Sequence, residues 1–132
     1  MKIQKQLGPT CLATSVAMIL DIPAEVVVDF PNHPHAPHFI EFLPLFLIHN
    51  KTFTHVDFNA GVAQRSQTDF TPRAVYKKPP ICYLTGRSAL LFTESHAVAW
   101  DGEKVYDPRG YISDLKRYNV LDVLLVFDLI ST

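Results

Sequence analysis

The sequence predicts a single α+β domain, because its helix-like segments come first and its strand-like segments follow. Apolar residues recur with helical spacing over 11–20, whereas 95–107 and 120–129 are rich in strand-forming residues. The chain has 132 residues, which is the length of one domain (1–132) that can bury a core without disulfide support.

Composition and charge exclude several classes of partner. Hydrophobic residues make up 48% of the chain and charged residues 19%, and 12 basic residues face 13 acidic ones for a net charge of −1. Without a basic surplus to neutralise phosphates, we expect no nucleic-acid partner. No apolar run approaches the ~18 residues of a membrane span, so we expect no membrane partner. The sequence leaves the oligomeric state open.

The N-terminus has some features of a secretory signal. Lys2 and Lys5 precede an apolar stretch over 12–20. However, Thr14 and Ser15 interrupt that stretch, and no small-residue cleavage site follows it. We therefore expect a cytoplasmic protein without a signal peptide.

The first predicted helix covers residues 11–20. Pro9 ends the preceding segment, and Thr10 is a suitable N-cap whose hydroxyl can accept a hydrogen bond from a free backbone N–H. The remaining predictions are a helix over 21–29 with Pro23 in its first turn, a helical segment over 38–48 that Pro44 starts, kinks or ends, a strand over 52–58, loop over 59–79, a short strand over 81–84, a loop over 86–94 and a strand over 120–129.

A β-hairpin is predicted over 95–107, because Asp101 and Gly102 form a turn signal between two strand-like runs. With these two residues as the turn, His96 faces Asp107 on the same side of the sheet. A carboxylate in this position can accept the imidazole Nδ1–H bond, fix the tautomer and stabilise the imidazolium. A cross-strand polar pair at a strand end is the simpler interpretation.

Cys11 falls in the first turn of the predicted helix. Helix N-termini stabilise a thiolate, and the same amides can stabilise an oxyanion. A histidine within reach would make this thiolate a competent nucleophile. The alternative is a small buried residue, which is how we interpret Cys82 in its apolar surroundings.

These segments resemble the papain-like cysteine peptidase superfamily, in particular its small bacterial and phage branch, which is similar to the peptidases that remove double-glycine leaders from bacteriocins. The resemblance lies in the run QLGPTCLATSVAMILDIP at 6–23, the run HAVAWDG at 96–102 and the run VYDP at 105–108. It implies a papain-like fold, with N-terminal helices packed on an antiparallel sheet.

The resemblance also implies roles for individual residues. Cys11 corresponds to the nucleophile, His96 to the general base and acid, and Asp107 to the residue that orients His96. The Cys11 N–H and a glutamine side chain would form the oxyanion hole. The family places that glutamine about six positions before the cysteine, whereas Gln6 lies five before it and Gln4 seven. Gln6 is favoured, and Gln4 remains open.

The reaction implied is hydrolysis of a peptide or isopeptide bond through a thioester, with a peptide or protein as substrate and without a cofactor. A deamidase or a transglutaminase-like enzyme could use the same triad, because fold analogy does not fix the reaction. A papain-like binding or effector module without catalysis is a further alternative, with an exposed aromatic and proline-rich interface over 30–46.

Three histidines, His33, His35 and His38, alternate with other residues in a proline-rich segment. Such a segment could ligate zinc or nickel. No acidic residue or cysteine accompanies them, so we expect a solvated loop and no metal. Elsewhere, Trp100 is expected to pack at the hairpin, and Arg109 could reach an acidic group of a substrate. Tyr83 and the predicted loop over 86–94 could line the cleft before His96.

Overall fold

The computed structural model describes residues 1–29, 39–56 and 84–129. In these ranges the helices are α1 (Cys11–Leu20), α2 (Ala24–Asp29) and α3 (Leu43–Ile48), and the strands are β1 (Lys51–Val56), β2 (Ala89–Phe92), β3 (Ala97–Trp100), β4 (Val105–Asp107), β5 (Tyr111–Ser113) and β6 (Asp122–Asp128). Two short 3-10 turns, Phe39–Phe42 and Leu115–Arg117, complete the regular structure of the described part. The predicted α+β class is confirmed.

The strands form an antiparallel sheet in the order β1-β6-β2-β3-β4-β5. The predicted strands over 120–129 and 52–58 correspond to β6 and β1, although residues 57 and 58 lie outside the described residues. Of the predicted strand over 81–84, only Leu84 lies within the described ranges. Leu84 is part of a turn and not of a strand.

Strand β2 corrects the predicted loop over 86–94. It is central, pairing with β6 on one side and β3 on the other. Ala89, Leu90 and Leu91 are buried, since α1 covers one face of the sheet and a second apolar cluster lies on the other. A four-residue strand that is buried on both faces is uniformly apolar, so it shows no alternation from which it could be predicted.

Helix α1 has the predicted bounds, and its residues from Ala13 to Leu20 are all buried. It ends because Asp21 adopts the left-handed conformation, with φ of 55°. The second helix was predicted from Asp21 but begins only at Ala24, whose backbone N–H donates to Gln4 Oε1 at 2.9 Å. Of the three options for Pro44, the start of a helix is the one observed, because Pro44 lies in the first turn of α3 directly after Leu43.

The core consists of two apolar clusters on opposite faces of the sheet. The helices cover the face that carries Leu90, Ala99 and Leu124. The other face carries Val98 and Trp100 with neighbours from β2, β4 and β6. None of the helices in the described ranges has the length and apolar character needed to cross a membrane.

Candidate active site

His96 and Asp107 are in direct contact. His96 Nε2 lies 2.9 Å from Asp107 Oδ1, within hydrogen-bond and ion-pair distance. The Asp107 carboxylate is fully buried, and the His96 side chain is only 9% exposed. The pair lies at the open end of the β3–β4 hairpin, because His96 immediately precedes β3 and Asp107 is the last residue of β4.

The predicted hairpin register is wrong by two residues. Trp100 pairs with Val105, not with Glu103, because the turn contains four residues and closes with a bond from Asp101 N–H to the Lys104 carbonyl. The Asp101 carboxylate also accepts the N–H groups of Glu103 and Lys104. A shift of two residues keeps every side chain on its predicted face. The two partners therefore still meet, as diagonal neighbours rather than directly opposed ones.

The sequence predicts that the Asp107 carboxylate contacts His96 through the ring nitrogen Nδ1, and the structure differs. Asp107 contacts Nε2 and not Nδ1. The nitrogen left without the carboxylate is therefore Nδ1, and it is the one available for acid–base chemistry.

Asp107 receives hydrogen bonds from three directions. Besides His96, the Tyr118 hydroxyl donates to Oδ2 at 2.7 Å and the Arg109 backbone N–H donates to Oδ1 at 2.8 Å. Burial alone would raise the pKa of Asp107. The hydrogen bonds from Tyr118, Arg109 and His96 outweigh burial, so this pKa lies below its ordinary value of 3.8. Asp107 is therefore an ionised carboxylate near neutral pH.

Tyr118 is a site residue that the sequence did not predict. It follows the 3-10 turn Leu115–Arg117, far from the hairpin signal. Burial, and then its hydrogen bond to Asp107, raise the pKa of Tyr118 far above its ordinary value. The phenol therefore stays protonated and remains a donor. No sequence pattern marks such a residue, because only the tertiary fold brings it to the carboxylate.

Cys11 is the first residue of α1. Thr10 occupies the predicted N-cap position, but the predicted capping bond is absent, since its hydroxyl donates to the Leu7 carbonyl at 3.1 Å. The Thr10 side chain thus leaves the first-turn amides of α1 uncapped. These amides thus keep the capacity to stabilise negative charge that the sequence predicted.

Contacts on both sides of Cys11 connect α1 with the hairpin. The Ser15 hydroxyl, one helical turn after Cys11, donates to the Ala97 carbonyl at 3.1 Å. The Gln6 backbone N–H donates to the Pro108 carbonyl at 2.6 Å. The segments that flank Cys11 are therefore bonded to the residues directly after His96 and Asp107. The Cys11 thiol is free and only partly exposed, and it has no hydrogen bond to any described residue.

The structure distinguishes the two candidate glutamines. The Gln4 side chain is engaged at both ends, because Nε2 donates to the Ile22 carbonyl at 2.8 Å and Oε1 accepts from Ala24. The Gln6 side chain donates one bond, to the Gly8 carbonyl at 2.8 Å, and its buried Oε1 has no partner in the described part of the chain. Each amide nitrogen thus keeps one hydrogen, but the Gln4 side chain is held at both ends and the Gln6 side chain at one, so Gln6 stays the favoured candidate.

Several other predicted residues can now be placed. Trp100 packs in the core, as predicted, and its indole N–H donates to the Leu84 carbonyl at 2.7 Å. The Arg109 side chain is bonded to Tyr111 and lies 3.8 Å from Asp107 Oδ2. Five residues for which the sequence suggested a role lie outside the described ranges: His33, His35, His38, Cys82 and Tyr83. Within the described ranges, no three His, Cys, Asp or Glu residues are grouped as metal ligands.

Comparisons with known proteins give no match: no family model, no curated protein and no solved structure is significantly similar to this chain.

Proposed function

We propose that this protein is a cysteine peptidase that hydrolyses a peptide or isopeptide bond with Cys11, His96 and Asp107. The observation that carries the proposal is the buried His96–Asp107 pair, held at 2.9 Å beside the segment that contains Cys11. A buried, fully bonded carboxylate fixes the position of an imidazole and stabilises its charged form. The resemblance of the sequence to papain-like peptidases supports the same assignment.

Acylation begins with transfer of the Cys11 proton to His96 Nδ1. The thiolate then attacks the substrate carbonyl carbon, and the carbonyl electron pair moves to oxygen. The Cys11 N–H and the remaining Gln6 amide hydrogen would stabilise this oxyanion. As the C–N bond breaks, His96 gives its proton to the departing amine, which leaves a thioester on Cys11.

Deacylation repeats these steps with water. His96 Nδ1 accepts a proton from the water that attacks the thioester, and the protonated imidazole then returns that proton to the Cys11 sulfur as the acid is released. No cofactor is needed. A reduced thiol is required, which fits a cytoplasmic location. An amine in place of water would give transfer, and a glutamine side chain as substrate would give deamidation.

A non-catalytic binding module of the same fold is the second candidate. The observation that favours it is the absence of a hydrogen bond between the Cys11 thiol and the described residues. The interface expected over 30–46 needs correction, because Phe42 and Phe46 are buried in the core. Among the described residues of that segment, Ile40 is exposed.

The deciding experiment measures the rate at which iodoacetamide labels Cys11, by intact mass and peptide mapping. A Cys82→Ser background leaves Cys11 as the only thiol. We expect fast labelling that changes little between about pH 6 and pH 8, and a large drop in His96→Ala. His55→Ala is a matched control, because it removes a histidine that is paired with a different carboxylate, Asp122. The contrary outcome is slow labelling that rises with pH as for an ordinary thiol and is the same in both variants. It would reject the peptidase and support the binding module.

Turnover is then tested with a proteome-derived peptide mixture, analysed by mass spectrometry. Wild type should create new peptide termini, whereas Cys11→Ala and His96→Ala should create none while remaining folded. Conversion of glutamine to glutamate without new termini would assign deamidation. Full activity of Cys11→Ala would rule out the mechanism.

A further inference from the structure

We infer that a pocket lined by Arg109, Arg117, Tyr111 and Tyr118 binds, through its two guanidinium groups, a carboxylate group of the substrate polypeptide. This inference rests on the proposed function, because it assigns a substrate class, acidic polypeptides, to that same site.

The pocket lies directly beside the His96–Asp107 pair and has a volume of about 300 Å³. Its lining is Thr93, Arg109, Tyr111, Ser113, Arg117, Tyr118 and Asn119. Three of these residues also contact the pair, one of them Arg109, whose backbone N–H donates to Asp107 Oδ1 at 2.8 Å. Tyr118 donates to the Asp107 carboxylate, and the Thr93 N–H donates to the His96 carbonyl at 2.8 Å. The pocket therefore adjoins the His96–Asp107 pair on the side of the Asp107 carboxylate.

The charge of the pocket favours an anion. Its lining contains two guanidinium groups and no carboxylate, and the Arg109 guanidinium lies 3.8 Å from Asp107 Oδ2 behind the lining. Arg117 forms no ion pair with any described residue. Asp114, the acidic residue closest in sequence, is bonded to Lys104 Nζ at 2.6 Å. The Asp107 carboxylate is fully buried and already accepts three hydrogen bonds, so it has little remaining capacity to compete for Arg117.

The chemistry of the lining points to a carboxylate in particular. A guanidinium presents a planar set of donors that matches a carboxylate, and such charge-assisted bonds are the stronger ones in proteins. Interaction with Tyr111 raises the pKa of Arg109, so this tyrosine lies close to the Arg109 guanidinium. A peptidase substrate can supply a carboxylate from an acidic side chain or from its C-terminus. Both sources share the same recognition chemistry.

The test uses the whole chain with Cys11→Ala, so that binding is measured without turnover. Three fluorescent peptides of equal length are titrated by anisotropy. One has a central Glu pair and an amidated C-terminus, the second has Gln in place of Glu, and the third is the Gln peptide with a free C-terminal carboxylate. We expect at least one carboxylate peptide to bind about tenfold more tightly than the neutral peptide. The peptide that shows the gain identifies the source of the carboxylate.

Variants then locate the effect. Arg117→Gln should abolish the preference, whereas Lys116→Gln should keep it, because Lys116 is the adjacent cation but does not line the pocket. Equal binding of all three peptides, no saturable binding, or equal losses in the two variants would overturn the inference. These outcomes are independent of Cys11 labelling. If Cys11 labels fast but the three peptides bind equally, the carboxylate pocket is refuted and the peptidase is not. If a carboxylate peptide binds more tightly but Cys11 labels slowly, the peptidase is refuted.

Discussion

The Tyr118 hydroxyl donates a hydrogen bond of 2.7 Å to Asp107 Oδ2, so the carboxylate that contacts His96 is itself held by a phenol from another segment of the chain. His96, Asp107 and Tyr118 thus form a linear network across β3, β4 and the residues after the 3-10 turn Leu115–Arg117. Each member limits the motion of the next, and Tyr118 itself packs against the apolar cluster on the sheet face opposite the helices.

Replacing Tyr118 by Phe should remove one donor from a buried carboxylate. We expect the free energy of unfolding to fall by about 1–3 kcal/mol, since a hydrogen bond to a charged group is lost. The pKa of Asp107 should rise, because Tyr118 is one of the groups that lower it. Urea denaturation and carboxyl NMR titration measure the two effects. Tyr106→Phe is the control, because its hydroxyl is bonded to the more exposed carboxylate of Asp101. Equal losses in both variants would contradict this network.

Acid should weaken the fold through Asp107. Its folded pKa lies below the ordinary 3.8, so its contribution to stability is present above that value and is lost as pH falls through the folded pKa. The difference in unfolding free energy between wild type and Asp107→Asn should therefore be largest near neutral pH and shrink below about pH 4. Denaturation at a series of pH values measures this difference. A difference that stays constant with pH would mean that Asp107 ionisation does not stabilise the fold.

The hydroxyl of Ser15 should matter more than that of its neighbour Thr14. Both residues are buried, but the Ser15 hydroxyl donates to the Ala97 carbonyl at 3.1 Å, whereas the Thr14 hydroxyl has Thr10 Oγ1, at 3.4 Å, as its one partner among the described residues. We expect Ser15→Ala to lower the unfolding free energy by about 1–2 kcal/mol and Thr14→Val to change it less. Ser15→Ala should also slow labelling of Cys11, because the bond aligns α1 with β3. If Ser15→Ala leaves the labelling rate of Cys11 unchanged, this bond stabilises the fold without aligning α1 with β3.

Gly102 should tolerate substitution far less well than Gly86. Both have positive φ, 101° and 76°, but a Cβ on Gly102 would lie 3.0 Å from the backbone of Gly86, whereas a Cβ on Gly86 would meet nothing within 4 Å. Gly86→Ala should therefore cost about 1–2 kcal/mol from backbone strain alone, and Gly102→Ala clearly more. Thermal denaturation of the two variants tests the order. The reverse order would show that the hairpin turn can move away from Gly86.

The sequence predicted those parts of the fold whose signals are local. Helix α1 has an apolar period and a break at Pro9, and the β3–β4 hairpin has its Asp-Gly pair. Strands β2 and β5 have four and three residues, too few for a period to show, and only their neighbours in the sheet make them strands.

The candidate site was predictable for a similar reason. The contact between His96 and Asp107 depends on which face each side chain occupies, and the two-residue error in register left both faces unchanged. The choice of Nε2 rather than Nδ1, the participation of Tyr118 and the engagement of Gln4 with Ile22 depend on packing between distant segments. Spacing along the chain carries no information about these contacts.

Strand β6, near the C-terminal end of the sequence, lies between β1 and β2 and is their shared partner in the sheet. During synthesis, β1 therefore lacks its partner among the described strands until residues 122–128 have left the ribosome. The hairpin with His96 and Asp107 is complete earlier, but β2 beside it keeps one unpaired edge until the same moment. Because long-range pairing of this kind is slow, we expect these strand edges to stay exposed until β6 pairs with them, which makes nascent chains prone to aggregation.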